Sequence, residues 1–409
     1  MELLKVDSLN EAVEKLYNQI KNDGGSIDIE EISVSESFGR ILASDIISSF
    51  DVPEFDRSIV DGFAVIASDT NGATDTIPTF LNVVGESEMG KACDITIKNG
   101  ECVYVPTGGM IPKGATACVM VEFVESITDK KIAIYDSVAD GKNIVRTGDD
   151  IKKGAKVLSS GRKISAADMG LISSLGINKI KVFKNLNISI ISTGDELLGK
   201  DEEYTFGKIR DINTNLLVGL SKKYGFKVIN TYLLKDSEKQ ISDTLEKALK
   251  DSDIVVMSGG SSKGKKDTSS LVIDKLTSSK VLTHGIAIKP GKPTITAYDK
   301  NTNTIVVGLP GHPVASAILF NLVVVGVIKK LTSQTDDSYI CEGILAENLA
   351  ASPGRMTIQL VNVDSEFNVT PIYGKSGLIN TLSQASGYII VEKDNEGINR
   401  GEKVVVHYL

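Results

Sequence analysis

The spacing of apolar positions changes character along the chain, and each change predicts an element. Ala12, Val13, Leu16 and Ile20 share one face at helical spacing behind a Ser8/Glu11 capping-box pattern, so an amphipathic helix opens the sequence. After Phe50 the stretch DVPEFDRSIVDGFAVIASD carries Pro53 and carboxylates that break a helix, and Ile59 to Ile66 reads as a strand interrupted at Asp61 and Gly62. From Phe80 to Val138 short runs such as FLNVV, CVYVP and CVMVEFV alternate with Gly, Pro and Asn turns, the pattern of a small β domain. Thr107-Gly108-Gly109 is a tight, donor-rich turn within it. Gly141 to Asp150 is polar and reads as the return from that insertion. Ser165 then caps a helix to Leu175 that Gly176 ends.

Between Asn187 and Lys330 two patterns alternate. NISIIS, KVINTYLL, DIVVMS and TIVVGL read as strands, while INTNLLVGLSKKYG, SEKQISDTLEKALK and SSLVIDKL have helical periodicity. That alternation predicts a mostly parallel sheet covered by helices. Beyond TSQTDDS (Thr332 to Ser338), read as a linker, Ser352 to Arg355 leads into MTIQLV and later YIIVEK and KVVVHYL, the runs of a terminal β domain.

Composition narrows the class. At 409 residues the chain exceeds one ordinary core, and 41% hydrophobic with 24% charged residues is the mix of a multidomain soluble protein. A net charge of -8 without a basic run argues against nucleic acid and confines any positive field to a local site. Cys93, Cys102, Cys118 and Cys341 lack CxxC spacing and the histidines are scattered, so buried free thiols are expected rather than a zinc site or disulfides. The first residues carry charges throughout, and the longest apolar run, Ala315 to Ile328, is too short to span a bilayer and contains Asn321. The expectation is a cytoplasmic protein with no membrane partner.

In open sheets of this kind ligands sit beyond the carboxyl ends of the strands. There the sequence places Thr193-Gly194-Asp195-Glu196, Lys235-Asp236, the stretch Ser258 to Asp267, and Pro310-Gly311-His312-Pro313. In the third, Gly259, Gly260 and Gly264 let backbone N–H groups approach an oxyanion, Ser258, Ser261 and Ser262 add donors, and lysines add charge. A lone stretch of this kind is more often a surface turn. Its GGSSKGK also matches part of a nucleotide-hydrolase P-loop, but Lys266 stands where Ser or Thr would hold Mg²⁺. Taken singly, Asp195 and Glu196 read as an ordinary acidic helix start; with Asp236 and Asp267 on sister loops they predict Mg²⁺, which bridges carboxylates to substrate phosphates. In IAIKPGKPT (Ile286 to Thr294), Pro290 and Pro293 stiffen a turn around Gly291 in which Lys289 and Lys292 stand as fixed charges for an anion.

DVPEFDRSIVDGFAV at 51–65, PTGGMIPKGATACVMVE at 106–122, ISTGDEL at 191–197, SGGSSKGKKD at 258–267, IKPGKPT at 288–294 and GLPGHPVAS at 308–316 follow one another in an order and spacing that resembles the molybdopterin molybdenumtransferase family, which includes bacterial MoeA and the E domain of gephyrin. The resemblance covers essentially the whole chain. It implies an elongated multidomain α/β plus β subunit that forms a homodimer. Its parts would be a discontinuous N-terminal domain (1–50 and 140–180), an inserted β domain (51–139), a three-layer α/β molybdopterin-binding domain (181–331) and a C-terminal β-barrel (332–409).

The implied reaction inserts molybdate into adenylylated molybdopterin with Mg²⁺-dependent release of AMP. Asp195, Glu196 and Asp267 would hold the metal, with Asp236 and Asp61 also catalytic. Ser258, Gly259, Gly260, Ser261 and Gly264 with Lys289, Gly291 and Lys292 would hold the pterin phosphate and nucleotide, and Pro310, Gly311 and Pro313 would shape the pocket floor. Asp61 and Thr107 match positions expected to reach the site across a dimer interface, and Arg146 with Asp150 match a similar region. The chain departs from the pattern at His312, where many members have asparagine, and at Gly285, where several have lysine, which leaves molybdate against tungstate open. The related adenylyltransferase shares the α/β domain but needs neither the N-terminal β domain nor the barrel. Other cofactor-biosynthesis proteins are implied partners; a scaffold role would need an additional partner-binding extension.

Overall fold

The computed structural model describes residues 6–259, 268–335 and 339–409. They form two compact units, one of Met1–Ser44, Ser160–Ser165 and Ile180–Leu409, the other of Asp45–Ser159 and Ala166–Lys179.

In the first unit, helix α1 (Leu9–Asn22) begins with both halves of the capping box: Glu11 N–H donates to Ser8 Oγ at 3.2 Å and Ser8 N–H to the Glu11 carboxylate at 2.7 Å. Ala12, Leu16 and Ile20 are buried on its inner face. The sheet comprises β1 (Asn187–Thr193), β2 (Lys227–Leu234), β3 (Ile254–Ser258), β4 (Val281–His284), β5 (Ile295–Asp299) and β6 (Thr304–Leu309), in the order β2-β1-β3-β6-β5-β4. β2, β1, β3 and β6 are parallel, whereas β5 runs antiparallel to β6 and β4 antiparallel to β5. Mostly parallel pairing therefore holds for the centre, with an antiparallel edge added.

Alternate residues of the central strands feed two cores, the period of a pleated strand buried on both faces. Ile188, Ile190, Ile254, Val256, Ile305 and Val307 pack with α1, with α2 (Asn213–Lys223) and with the helix after β6. Ile191, Val255, Met257 and Val306 pack with α3 (Glu238–Asp251) and α4 (Thr268–Leu276). Helices on both faces make three layers.

The helix after β6, α5 (Pro313–Leu331), is 19 residues long with mean hydropathy 2.0, enough by length and composition to cross a membrane. It extends past both ends of the apolar run visible in the sequence. Its middle is a π-helical stretch, Phe320–Val325. Here it is a core helix: Ile318, Leu319, Phe320, Val323 and Val324 are fully buried.

The chain ends in a barrel of β7 (Tyr339–Leu345), β8 (Met356–Val363), β9 (Asn368–Pro371), β10 (Gly387–Val391) and β11 (Lys403–His407). The pairings β8-β9-β7-β11-β10-β8 close a five-stranded ring around Leu345, Val361, Val369, Ile389 and Val406. The short strand Ile288–Lys289 pairs with β8, which ties the KPGKP segment to the barrel.

The second unit is built on a six-stranded sheet whose order is Ala117–Met120, Gly62–Val65, Glu101–Val105, Thr79–Glu86, Lys131–Ile134, Val124–Thr128. Its core includes Val65, Leu81, Cys102, Val119 and Ile132. All four cysteines are free, and burial pushes the Cys102 thiol up to about 12. The helix Ala166–Ser174 is followed by Gly176 at φ 67°, the left-handed conformation that ends helices.

Candidate functional site

The four parallel strands end on one edge of the sheet. β1 is followed by β2 on one side and flanked by β3 on the other, so the winding reverses between β1 and β3, and a crevice opens beyond their carboxyl ends. The two strand ends touch there. Gly259, at φ 103°, stands so close to β1 that a Cβ on it would lie 2.1 Å from the Thr193 carbonyl oxygen. Only glycine permits that backbone approach.

On the β1 side the chain turns through Gly194 to Asp195 and Glu196, both exposed. The Glu196 carboxylate folds back over the turn, its oxygens 2.9 Å from where a Gly194 Cβ would stand. Asp236, after β2, donates its backbone N–H to Asp195 Oδ1 at 3.2 Å. Lys208 Nζ donates to the Asp195 carbonyl at 2.5 Å and Lys235 Nζ to the Leu197 carbonyl at 2.9 Å, which brace the turn without neutralising its carboxylates. Burial, and then the charges of Asp195 and Glu196, hold the Asp236 carboxyl above its ordinary range. Two of the predicted carboxylate loops thus form one acidic cluster.

The other two loops are joined by a residue the sequence did not single out. Asn213, in the first turn of α2, is 8% exposed and donates from Nδ2 to Ser258 Oγ at 2.7 Å and to the Gly311 carbonyl at 2.7 Å. Its Oδ1 is buried without a partner. A Cβ on Gly311 would lie 3.7 Å from Gly259 Cα, so the Pro310–Pro313 turn lies against the start of the serine-glycine loop. Pro313 is buried in the first turn of α5. His312 Nδ1 lies 2.7 Å from Ser376 Oγ, a contact with the barrel.

The KPGKP segment reaches the same edge. β4 runs parallel to β6, since both are antiparallel to β5, and the segment starts where β4 ends. Gly291, at φ 123°, packs where a Cβ would meet Leu319 Cδ2 at 2.3 Å, and Thr294 Oγ1 donates to its carbonyl at 2.7 Å. Lys289 is exposed and Lys292 half-buried. The buried Asp7 anchors this edge, accepting from Lys15 Nζ at 2.7 Å and Thr283 Oγ1 at 2.8 Å while its N–H donates to the Gly285 carbonyl at 3.0 Å. Gly260, Ser261, Gly264 and Asp267 lie outside the described residues. Among the described residues no group of three or more His, Cys, Asp and Glu is arranged to hold a metal ion.

In the second unit Asp61 Oδ1 accepts from Thr107 N–H at 2.7 Å and from Thr107 Oγ1 at 3.0 Å, and these donors hold its carboxyl below the ordinary range. The pair forms because Gly62 and Val105 are paired in the sheet. The Arg146 guanidinium lies beside Gly141, its Nη2 3.7 Å from a Cβ there, and Asp150 N–H donates to the Val52 carbonyl at 3.1 Å.

Residues 7–176 match the MoeA N-terminal region (domains I and II), 189–330 a probable molybdopterin-binding domain, and 342–409 the MoeA C-terminal region (domain IV). A molybdopterin molybdenumtransferase from Haemophilus influenzae is 32% identical, over 92% of this chain and 93% of its own. The chain belongs to the MoeA family of molybdopterin molybdenumtransferases, enzymes of molybdenum cofactor biosynthesis. A molybdopterin biosynthesis protein from Methanocaldococcus jannaschii is 35% identical over 93% of this chain and 92% of its own. Among solved structures, a MoeA protein from Pyrococcus horikoshii superposes with TM-score 0.79 at 32% identity, covering 99% of both chains. The family's three regions account for the sheet with the Asp61–Thr107 pair, the carboxylate crevice and the closed barrel in turn.

Proposed function

We propose that this chain inserts molybdate into adenylylated molybdopterin and releases AMP, with the crevice between β1 and β3 as the reacting site. The observation that carries this reading is that an acidic cluster and the close approach of Gly259 to Thr193 stand together at the switch point of the sheet. Ser258 and Gly259 stand at the edge where phosphate would bind, and Gly260, Ser261 and Gly264, outside the described residues, are assigned the same task by the family resemblance. Lys289 and Lys292 add charge on the same edge, and Pro310 to Pro313 form the floor. Lysine and backbone N–H donors fix the anionic substrate, so the dithiolene and the oxyanion meet without a search in solution.

Mg²⁺ fits the donor set. Asp236 is raised by burial and then by the negative charge of Asp195 and Glu196, a repulsion that a divalent cation offsets, and oxygen ligands suit that cation. Asp195 and Glu196, with Asp267, would hold it. Bound there, Mg²⁺ supplies neutralisation of the phosphate oxygens of the adenylate. The protein's own part is to position the phosphates.

The same reading makes the protein a cytoplasmic homodimer in which Asp61 and Thr107, with Arg146 and Asp150, complete the site of the partner. It retains the four-part division at 51, 140, 181 and 332, and interaction with other cofactor-biosynthesis proteins. The closed barrel and the Asp61–Thr107 sheet favour insertion over adenylylation, which needs neither. Purified protein given adenylylated molybdopterin, molybdate and Mg²⁺ should release AMP and form active cofactor. Consumption of ATP and free pterin instead would overturn the assignment.

A further inference from the structure

At the other end of the sheet, where β1 and β2 begin, the first unit contains a second cavity of about 350 Å³. Its volume lies within the range of about 300–1,000 Å³ usual for small-molecule sites. Part of its wall is aromatic: Phe226 is buried, Tyr224 lies beside it, and both rings pack on Phe320 at 6.2 and 6.5 Å, while Phe38 stands 69% exposed on the lining.

The charge of the lining runs against that of the chain. In a protein of net charge -8, Arg40, Lys163, Lys184, Lys222, Lys223 and Lys329 line this cavity, and no Asp or Glu does. Lys184 reaches out to Asp28, and Arg40 Nη2 is committed to Glu30 and the Phe183 carbonyl. Arg40 Nε, however, is buried with no acceptor. A buried guanidinium N–H without an acceptor is costly, and an oxyanion is the group that satisfies it best. Lys223 donates to the Leu409 carbonyl, and burial, and then the charge of Lys163, depress its ammonium.

We infer that this cavity is a second ligand site, which takes an aromatic phosphate monoester, its phosphate toward Arg40 and Lys163 and its ring against Tyr224 and Phe38. A lining that carries cations and no carboxylate suits a dianion better than a monoanionic carboxylate, and the aromatic side chains give a flat ring a stacking surface. The site lies at the end of the sheet opposite the carboxylate crevice, so its occupancy is separable from turnover.

The test is calorimetric titration of the full chain with phenyl phosphate, inorganic phosphate and phenol at low salt, on the wild type and on Lys163→Glu. Lys163 is exposed, so the variant should fold, and its rate of molybdenum insertion should be unchanged. The wild type should bind one more equivalent of phenyl phosphate than the variant, at least about tenfold more tightly than inorganic phosphate binds there. Binding of the same stoichiometry and affinity in both proteins would overturn the inference. So would a Lys163-dependent site that holds inorganic phosphate as tightly as the aromatic ester.

Discussion

Asn213 Nδ2 lies 2.7 Å from the Gly311 carbonyl and 2.7 Å from Ser258 Oγ, so one buried amide joins the end of β3 to the turn after β6. The crevice floor and the anion loop are held in register through a helix that belongs to neither. Asn213→Ala removes both donated bonds and leaves the carbonyl short of a partner, a cost of about 1–3 kcal/mol. Denaturant melts should show that loss, with AMP release falling about tenfold or more, since about 1.4 kcal/mol of misplacement is tenfold in rate. Asn213→Asp should do no better, because a carboxylate cannot donate to Gly311. Wild-type stability and rate in both variants would sink the bridging role.

Gly259 and Gly311 face each other but tolerate different changes. Gly259→Ala places a methyl 2.1 Å from the Thr193 carbonyl at φ 103°, so β1 and β3 must part. Backbone strain alone costs about 1–3 kcal/mol at such a position, and the clash adds to it. Gly311→Ala meets only Gly259 Cα, at 3.7 Å, an ordinary contact. The first variant should melt well below the second, which should melt near the wild type. Equal melting temperatures would show that the close approach does not set the crevice.

The sequence was most legible where one residue type serves one physical purpose. DIVVMS and TIVVGL read as strands from their apolar runs, and the glycines directly after them, like the carboxylates after NISIIS and KVINTYLL, stand at the carboxyl edge of the sheet. The antiparallel edge was missed because VLTH and ITAYD flank KPGKPT, whose prolines dominate the local pattern. Asn213 was missed for a different reason. A helix that opens with asparagine looks the same whether its amide faces solvent or bridges two loops. The pairing of Asp61 with Thr107 spans 46 residues and depends on Gly62 meeting Val105 across the sheet, a register that no local pattern encodes. Arg40 Nε is invisible for the same reason, since an unpaired donor exists only once the chain has folded around it.

Asp236 makes a prediction about pH with a definite sign. Its carboxyl is raised in the folded state, so the folded protein binds more protons than the unfolded chain as pH rises from the ordinary aspartate value of about 3.9. Stability therefore falls as pH climbs through the raised value. Asp236→Asn should stabilise the protein at pH 7 by less than about 1 kcal/mol after solvent screening, and that gain should vanish below the ordinary aspartate range. Mg²⁺ should raise the melting temperature of the wild type more than that of the variant. A variant less stable than the wild type at pH 7 would mean that neither burial nor repulsion from Asp195 and Glu196 penalises the ionised Asp236.

Asp61 has the opposite sign. Thr107 holds its carboxyl below the ordinary range through a backbone donor at 2.7 Å and a hydroxyl at 3.0 Å. The stability this contributes is present above the ordinary aspartate value and is lost as pH falls through the depressed one. Thr107→Val keeps the shape and the backbone donor but deletes the hydroxyl. The Asp61 carboxyl, followed by NMR, should then titrate at a higher pH than in the wild type, though still below an unbonded aspartate. Molybdenum insertion should fall as well, since the Val side chain can neither orient the carboxylate nor donate to an anion. An unchanged titration would show that the backbone N–H alone fixes Asp61, and an unchanged rate would remove Thr107 from the site.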